Sequence, residues 1–113
     1  MTRTLISALP DEIDARVTIR GWVQAIRDQK SVQFVIVRDE TGLAQVVLGK
    51  ADPPSELNER VSALTAESAV TIQGAVAADE RVKLGGLELK LEALTVDALA
   101  EPEIIKLEIV IIF

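Results

Sequence analysis

The stretch RVTIRGWVQAIRDQKSVQFVIVRDETGLAQVVL, Arg16 to Leu48, decides the fold. From Arg16 to Ile26, Val17, Ile19, Val23 and Ala25 alternate with Arg16, Thr18, Arg20 and Gln24. That period of two is what a strand with one buried face requires. Gly21 falls inside the run, and an isolated glycine in a strand marks a bulge or a sharp bend, as where a barrel turns a corner. Asp28 to Lys30 make a polar turn, and Val32 to Arg38 form a second, β-branched strand. Asp39-Glu40-Thr41-Gly42 is a hairpin connection into a third strand, Leu43 to Leu48. The three runs form a meander.

On the N-terminal side, Leu5 to Asp14 is a lead-in with turn chemistry at Pro10 and Asp11. On the C-terminal side the period changes. Pro53 and Pro54 introduce Ser55 as an N-cap whose capping-box partner stands too far along to be ideal, and Leu57, Val61 and Leu64 draw an apolar stripe on a helix near 55–66. Strand periodicity returns at Ala69 to Ala77. Asp79 to Gly86 is a hairpin loop, and the apolar residues of Leu87 to Leu91 alternate with Glu88, Lys90 and Glu92. Three meandering strands, a helix and a hairpin give an all-β class: an OB-fold, the five-stranded Greek-key barrel with a helix between strands 3 and 4. Ala/Val-rich strands also suit an SH3-like barrel, but a helix after the third strand favours the OB arrangement. The division expected is one domain over 1–103 and an apolar strand or tail over 104–113, an additional sixth strand.

Composition narrows the function. The chain of 113 residues contains neither cysteine nor histidine, which removes disulfides, thiolate chemistry, the usual neutral-pH general base and the commonest metal ligand. Acidic residues are numerous, yet none has the spacing of a metal cage or a paired-carboxylate site. No catalytic residue, metal ligand or cofactor is assigned. Gly85-Gly86 is a turn and not a phosphate loop, because no Lys-Ser/Thr follows it. Met1-Thr2-Arg3-Thr4 leads into no long apolar run, so neither a signal peptide nor a membrane span is expected, and the expected location is cytoplasmic. The net charge is −6, divided as +1 over residues 1–50 and −7 over 51–113. Binding to phosphates needs local positive potential, so any such surface is expected from the first half.

Gly21-Trp22-Val23-Gln24-Ala25-Ile26-Arg27-Asp28, Phe34-Val35-Ile36-Val37-Arg38-Asp39 and Gly42-Leu43-Ala44-Gln45-Val46-Val47 hold one register over about 27 residues. This pattern resembles the N-terminal anticodon-binding OB domain of the class IIb aspartyl- and asparaginyl-tRNA synthetases. Lys83 to Glu88 and the helix resemble the archaeal-type and non-discriminating members in particular. The likeness spans about 1–103 and ends after Ala100-Glu101-Pro102, where the family continues into a linker and a catalytic domain. The resemblance implies a tRNA-binding domain of an ATP-dependent aspartate/asparagine-tRNA ligase, here without its catalytic domain and so no enzyme by itself. Its implied partner is an Asp/Asn-type anticodon loop.

The resemblance also implies roles. Phe34 would stack on an unstacked base. Gln45 would read the polar edge of the middle base, Arg27 would contact phosphate or base, and Glu88 would accept hydrogen bonds from a base edge. Each has a plainer alternative. Phe34 shares its phase with Val32 and Ile36 against Val35 and Val37, so one of the two apolar sets faces outward, and a core Phe34 stays open. Gln45 is opposite in phase to Ala44, Val46 and Leu48, which make an inner set. Glu88 fits an ordinary solvent face with Lys90 and Glu92. Arg27, Asp28, Arg38 and Asp39 fit turn-flanking ion pairs, Asp28 and Asp39 above all, and Trp22 fits a packing residue at the bend, with stacking on RNA as its second reading.

A different class of function remains open: a protein-binding or self-assembling OB module, as a natural paralogue or an engineered scaffold. It rests on Ile104 to Phe113, apolar on both faces beyond Glu108. Such a β-forming stretch favours pairing with another chain, so a homo-oligomer through this segment is expected, the plainer alternative being that it folds back onto its own barrel.

Overall fold

Every odd residue of the second strand points one way and every even residue the other. Gln33, Val35, Val37 and Asp39 are buried, while Val32, Phe34, Ile36 and Arg38 are only partly covered. The computed structural model, which describes residues 2–100, builds a closed barrel around that alternation. Its strands are β1 (Arg16–Asp28), β2 (Val32–Asp39), β3 (Gly42–Gly49), β4 (Ala69–Ala78) and β5 (Leu87–Ala98). Their order around the barrel is β1-β2-β3-β5-β4. The one α-helix among the described residues, α1 (Glu56–Ser62), lies between β3 and β4. This is the OB-fold: β1 pairs antiparallel with both β2 and β4, β2 with β3 and β4 with β5 likewise, and β3 with β5 closes the barrel through a short parallel pairing.

The core is continuous. Val17, Ile19 and Val23 of β1, Val35 and Val37 of β2, and Ala44 and Val46 of β3 meet Val70, Ile72 and Val76 of β4 and Leu87, Leu89, Leu91 and Leu94 of β5. The helix adds Val61, with Leu64 just beyond its end, and Leu57 packs against them. The expected stripe therefore exists, although the helix itself is shorter than 55–66. A glutamate is not needed to complete its capping box. Ser55 accepts from the Asn58 amide, and the Asn58 side chain accepts from the Ser55 amide at 3.0 Å.

Two buried polar side chains at either end of β2 fasten the caps of the barrel. Gln33 donates to the Asn58 carbonyl at 3.0 Å and accepts from the Asn58 side-chain amide at 2.8 Å, which seats α1. Asn58 also donates to the Gly49 carbonyl at 3.0 Å. At the other end Asp39 accepts from the amides of Ile6 (2.9 Å), Thr41 (2.7 Å) and Gly42 (3.2 Å), and from the Thr41 hydroxyl at 2.6 Å. The lead-in segment is accordingly a 3₁₀ helix, Ile6–Glu12, that buries Ile6 and Leu9.

Three expectations for single residues change. Asp39 does pair, with Arg3 at 3.8 Å, but its side chain is fully buried and not at the surface. Asp28 does pair, with Lys50 at 2.7 Å, but it also accepts from Ser62 at 2.6 Å and so ties β1 to the end of α1. Trp22 does not pack into the bend: it is 45% exposed, with the Arg38 guanidinium 5.8 Å from its ring centre. The tail at 104–113, its strand and its oligomer contact lie outside the described residues, as does the domain boundary at 103.

Gly21 stands where β1 leaves one partner for another, since β1 pairs with β4 over Arg16 to Trp22 and with β2 from Trp22 onward. The register shift itself comes slightly later, between Val23 and Ala25. A Cβ on Gly21 would sit 2.2 Å from the Arg38 carbonyl oxygen, and one on Gly74 would sit 2.3 Å from that of Lys90. Backbone, not a flexible side chain, occupies both places, so glycine is required there by close approach.

Two substitutions probe this packing. Gly21→Ala forces β1 and β2 apart and is expected to cost ~1–3 kcal/mol or more in urea unfolding, as overpacking does. For Asp39, burial pushes the carboxyl up, but the Thr41 hydroxyl and the three amides outweigh it and hold it below its usual 3.8. The unfolded chain therefore binds this proton more readily than the folded one. The stabilisation is complete above pH 3.8 and is lost as pH falls through the lower folded value. Asp39→Asn should be less stable than the parent at pH 7, with the difference shrinking below pH 3.8 in paired denaturation curves.

Candidate nucleic-acid interface

The outward residues of β1, β2 and β3 line up in rows because the pairing is in register. Arg27, Phe34 and Val47 form one row, and Ala25, Ile36 and Gln45 form the next. Phe34 is thus an outward, half-buried residue rather than a core one. Ile36 and Val47 line the same site, and Val47 is the β3 partner of Phe34, so the three make a small apolar patch there.

Glu88 reaches this face through the parallel closure. Val46 pairs with Leu89 and Val47 with Lys90, which sets Gln45 and Glu88 level on neighbouring strands. The Gln45 amide donates to the Glu88 carboxylate at 3.4 Å, a long bond that leaves both groups able to turn to a ligand. All four residues singled out in the sequence, Arg27, Phe34, Gln45 and Glu88, line one concave site of about 720 Å³.

The β4–β5 loop forms the far wall. It is held in shape by Asp79 N–H to Gly86 O at 2.9 Å and Gly86 N–H to Val82 O at 3.0 Å, and by the buried Val82. Gly85 and Gly86 take φ of 78° and 68°, a left-handed conformation that disfavours side-chain-bearing residues. The loop brings Arg81, Lys83 and Leu84 to the site. Arg81 grips Asp79 through Nε (3.0 Å) and Nη2 (2.9 Å), which holds the Asp79 carboxyl below its ordinary range. Arg27 and Lys83 have no ion-pair partner among the described residues.

The lining thus holds three cations, Arg27, Arg81 and Lys83, against two carboxylates, Asp79 and Glu88. The cations of this groove come from both halves of the chain, where a phosphate-facing surface was expected from the first half. Arg81 and Lys83 belong to the acidic second half, and averaging charge over it hid them. The signal available was their place in the glycine-containing hairpin loop directly before Glu88. Asp28, Arg38, Asp39 and Trp22 do not line this site.

An apolar surface, an amide, a carboxylate and a set of cations in one groove are the groups with which OB domains bind nucleic acid. The chain belongs to the OB-fold nucleic acid binding domain family that binds the tRNA anticodon, matching it over residues 17–97. It is 42% identical over 101 residues to the asparagine–tRNA ligase of Desulforamulus reducens, a match covering 89% of this chain and 23% of the ligase. It is 39% identical over 80 residues to the aspartate–tRNA(Asp/Asn) ligase of Methanopyrus kandleri, covering 71% of this chain and 18% of that one. The solved asparaginyl-tRNA synthetase from Pyrococcus horikoshii, complexed with asparaginyl-adenylate, superposes with a TM-score of 0.79 at 30% identity, covering 89% of this chain and 23% of that one. The matched part is the N-terminal domain of these enzymes, and the chain spans about a fifth of their length. No helix among the described residues is long and apolar enough to cross a membrane.

The outward placement separates two outcomes for substitution. Phe34→Ala should cost no more than about 1 kcal/mol of stability, against ~3–5 kcal/mol for a core phenylalanine. Gln45→Ala should stay within about 0.5 kcal/mol, as surface changes do. Thermal unfolding of the two variants beside the parent measures both.

Proposed function

We propose that this domain binds an Asp/Asn-type tRNA anticodon loop in the groove between β1–β3 and the β4–β5 loop, and reads it there. Phe34 stacks on one splayed base, with Ile36 and Val47 beneath it. Gln45 and Glu88 exchange their weak mutual bond for hydrogen bonds to base edges, Gln45 supplying a donor and an acceptor and Glu88 an acceptor. Arg27, Lys83 and Arg81 hold the phosphates, with Arg81 kept in place by Asp79 until the ligand arrives. The observation that carries this reading is the convergence of Phe34, Gln45, Glu88 and three cations on one concave face. Within a full-length ligase the domain would select the tRNA for ATP-dependent attachment of aspartate or asparagine. By itself it binds RNA and catalyses no reaction.

Three phosphate contacts on a single strand give a log–log salt slope of about −2. Binding of an isolated anticodon stem-loop is therefore weak and falls as salt rises. Phe34→Ala should weaken it by ~1–3 kcal/mol, and Gln45→Ala should reduce discrimination against a changed middle base. A titration of stem-loops with the matching and the altered middle base, at matched salt, is the test. Equal affinity of the parent for both would rule out anticodon reading.

A further inference from the structure

The outward rows of β1–β3 do not stop at the groove. Arg27, Phe34 and Val47 are followed by Ala25, Ile36 and Gln45, and these by Trp22, Arg38 and Leu43. Alternate residues of a strand stand about 6.6 Å apart, so the third row lies roughly 13 Å along β2 from Phe34. OB folds track about 4–16 nucleotides of single strand, and an anticodon loop has unpaired nucleotides on both sides of its triplet. A strand seated in the groove therefore has neighbours within reach of this row.

Trp22 is the large exposed ring there, 45% open, with Leu43 at 36%. The register of β1 shifts just after it, between Val23 and Ala25, and such a bulge re-aims the side chains around it. The indole is also braced. The Arg38 guanidinium lies 5.8 Å from its ring centre, and it donates to Glu67 at 2.9 and 3.2 Å and to Gln24 at 3.0 Å. Glu67 takes φ of 71°, a left-handed conformation that is strained for an L side chain. Its amide donates to the Val23 carbonyl at 2.6 Å. A strained turn tied to the residue after Trp22 thus carries the carboxylate that fixes Arg38.

Charge and size select the partner. Glu67 neutralises Arg38, so the row offers a phosphate little attraction. It offers an exposed indole, whose complement is a flat, uncharged ring. A specific protein interface covers about 800 Å² a side, whereas the two apolar side chains of this row are parted by Arg38.

We infer, on the reading that the groove holds an anticodon loop, that Trp22 is a second base platform outside the groove, stacking on a nucleotide that flanks the triplet. Stacking tolerates any base, so Trp22 adds affinity for the loop and leaves discrimination to Gln45 and Glu88.

Trp22 is the only tryptophan, and stacking on a base quenches indole emission, so fluorescence reads this contact directly. Saturating the full chain with an anticodon stem-loop should quench the emission. Of two loops made abasic at the nucleotide before or after the triplet, one should bind about 5- to 150-fold more weakly and leave the emission unquenched at saturation. Phe34→Ala should weaken binding yet keep the quench at saturation, which separates the two platforms. Trp22→Leu with unchanged far-ultraviolet circular dichroism, followed by anisotropy of a labelled stem-loop, should weaken the intact loop and lose nothing further with that abasic one. Saturable binding with no change in emission, or equal quenching by the intact and both abasic loops, would overturn the inference and leave the groove reading standing. Absence of saturable binding to any stem-loop would overturn both. A quench in protein alone that grows as a dimer forms in sedimentation would assign Trp22 to a second copy and overturn the inference too.

Discussion

The inside–outside register of β2 is the constraint on which the rest depends. Gln33, Val35, Val37 and Asp39 face in, and Phe34, Ile36 and Arg38 face out. A slip by one residue would exchange the two sets. It would drive Arg38 into the core and leave α1 and the 3₁₀ helix without their anchors, because Gln33 and Asp39 would face solvent. The same slip would remove Phe34 from the groove. The buried anchors and the groove thus share one strand and one register.

Two buried polar clusters do different work from the apolar core. The valines and leucines close the barrel without specifying its ends. The Gln33–Asn58 exchange places α1 against the ends of β2 and β3, and the Asp39 carboxylate gathers three amides and a hydroxyl from the 3₁₀ helix and the β2–β3 turn. Donors buried without a partner cost roughly 1–3 kcal/mol each, so these clusters make the alternatives to the native ends expensive. Neither cluster reaches the groove, which leaves the groove residues free to be polar and weakly paired.

Charge is organised in the same local way. The molecule is acidic as a whole, yet its groove gathers three cations, one of them preset by Asp79. The excess of negative charge elsewhere discourages indiscriminate polyanion binding, while the local potential acts over the Debye length of about 8–10 Å. The next outward row on β1–β3, Trp22, Arg38 and Leu43, has its arginine cancelled by Glu67. Two adjoining bands of one sheet thus present different chemistry.

Alternation in Arg16 to Leu48, the change of period at Ser55 and the order of elements made the barrel, the helix and the outward phase of Gln45 legible in the sequence. These are local properties, carried by residues two to four positions apart, and the chain writes them directly. Phe34, Gln45, Arg27 and Glu88 were legible as a set through their motif, but periodicity left the side on which Phe34 faces undecided, since both phases of β2 are apolar. Only the tertiary structure decided that, by burying Gln33 and Asp39 against partners 25 and 33 residues away. It alone also set Glu88 level with Gln45, through a parallel pairing of β3 with β5 that no local pattern encodes. It carried Arg81 and Lys83 out of an acidic half into the groove, and left Trp22 on the surface. Each of these depends on which distant segment closes the barrel, and closure is a property of the whole chain's packing and not of any window of its sequence.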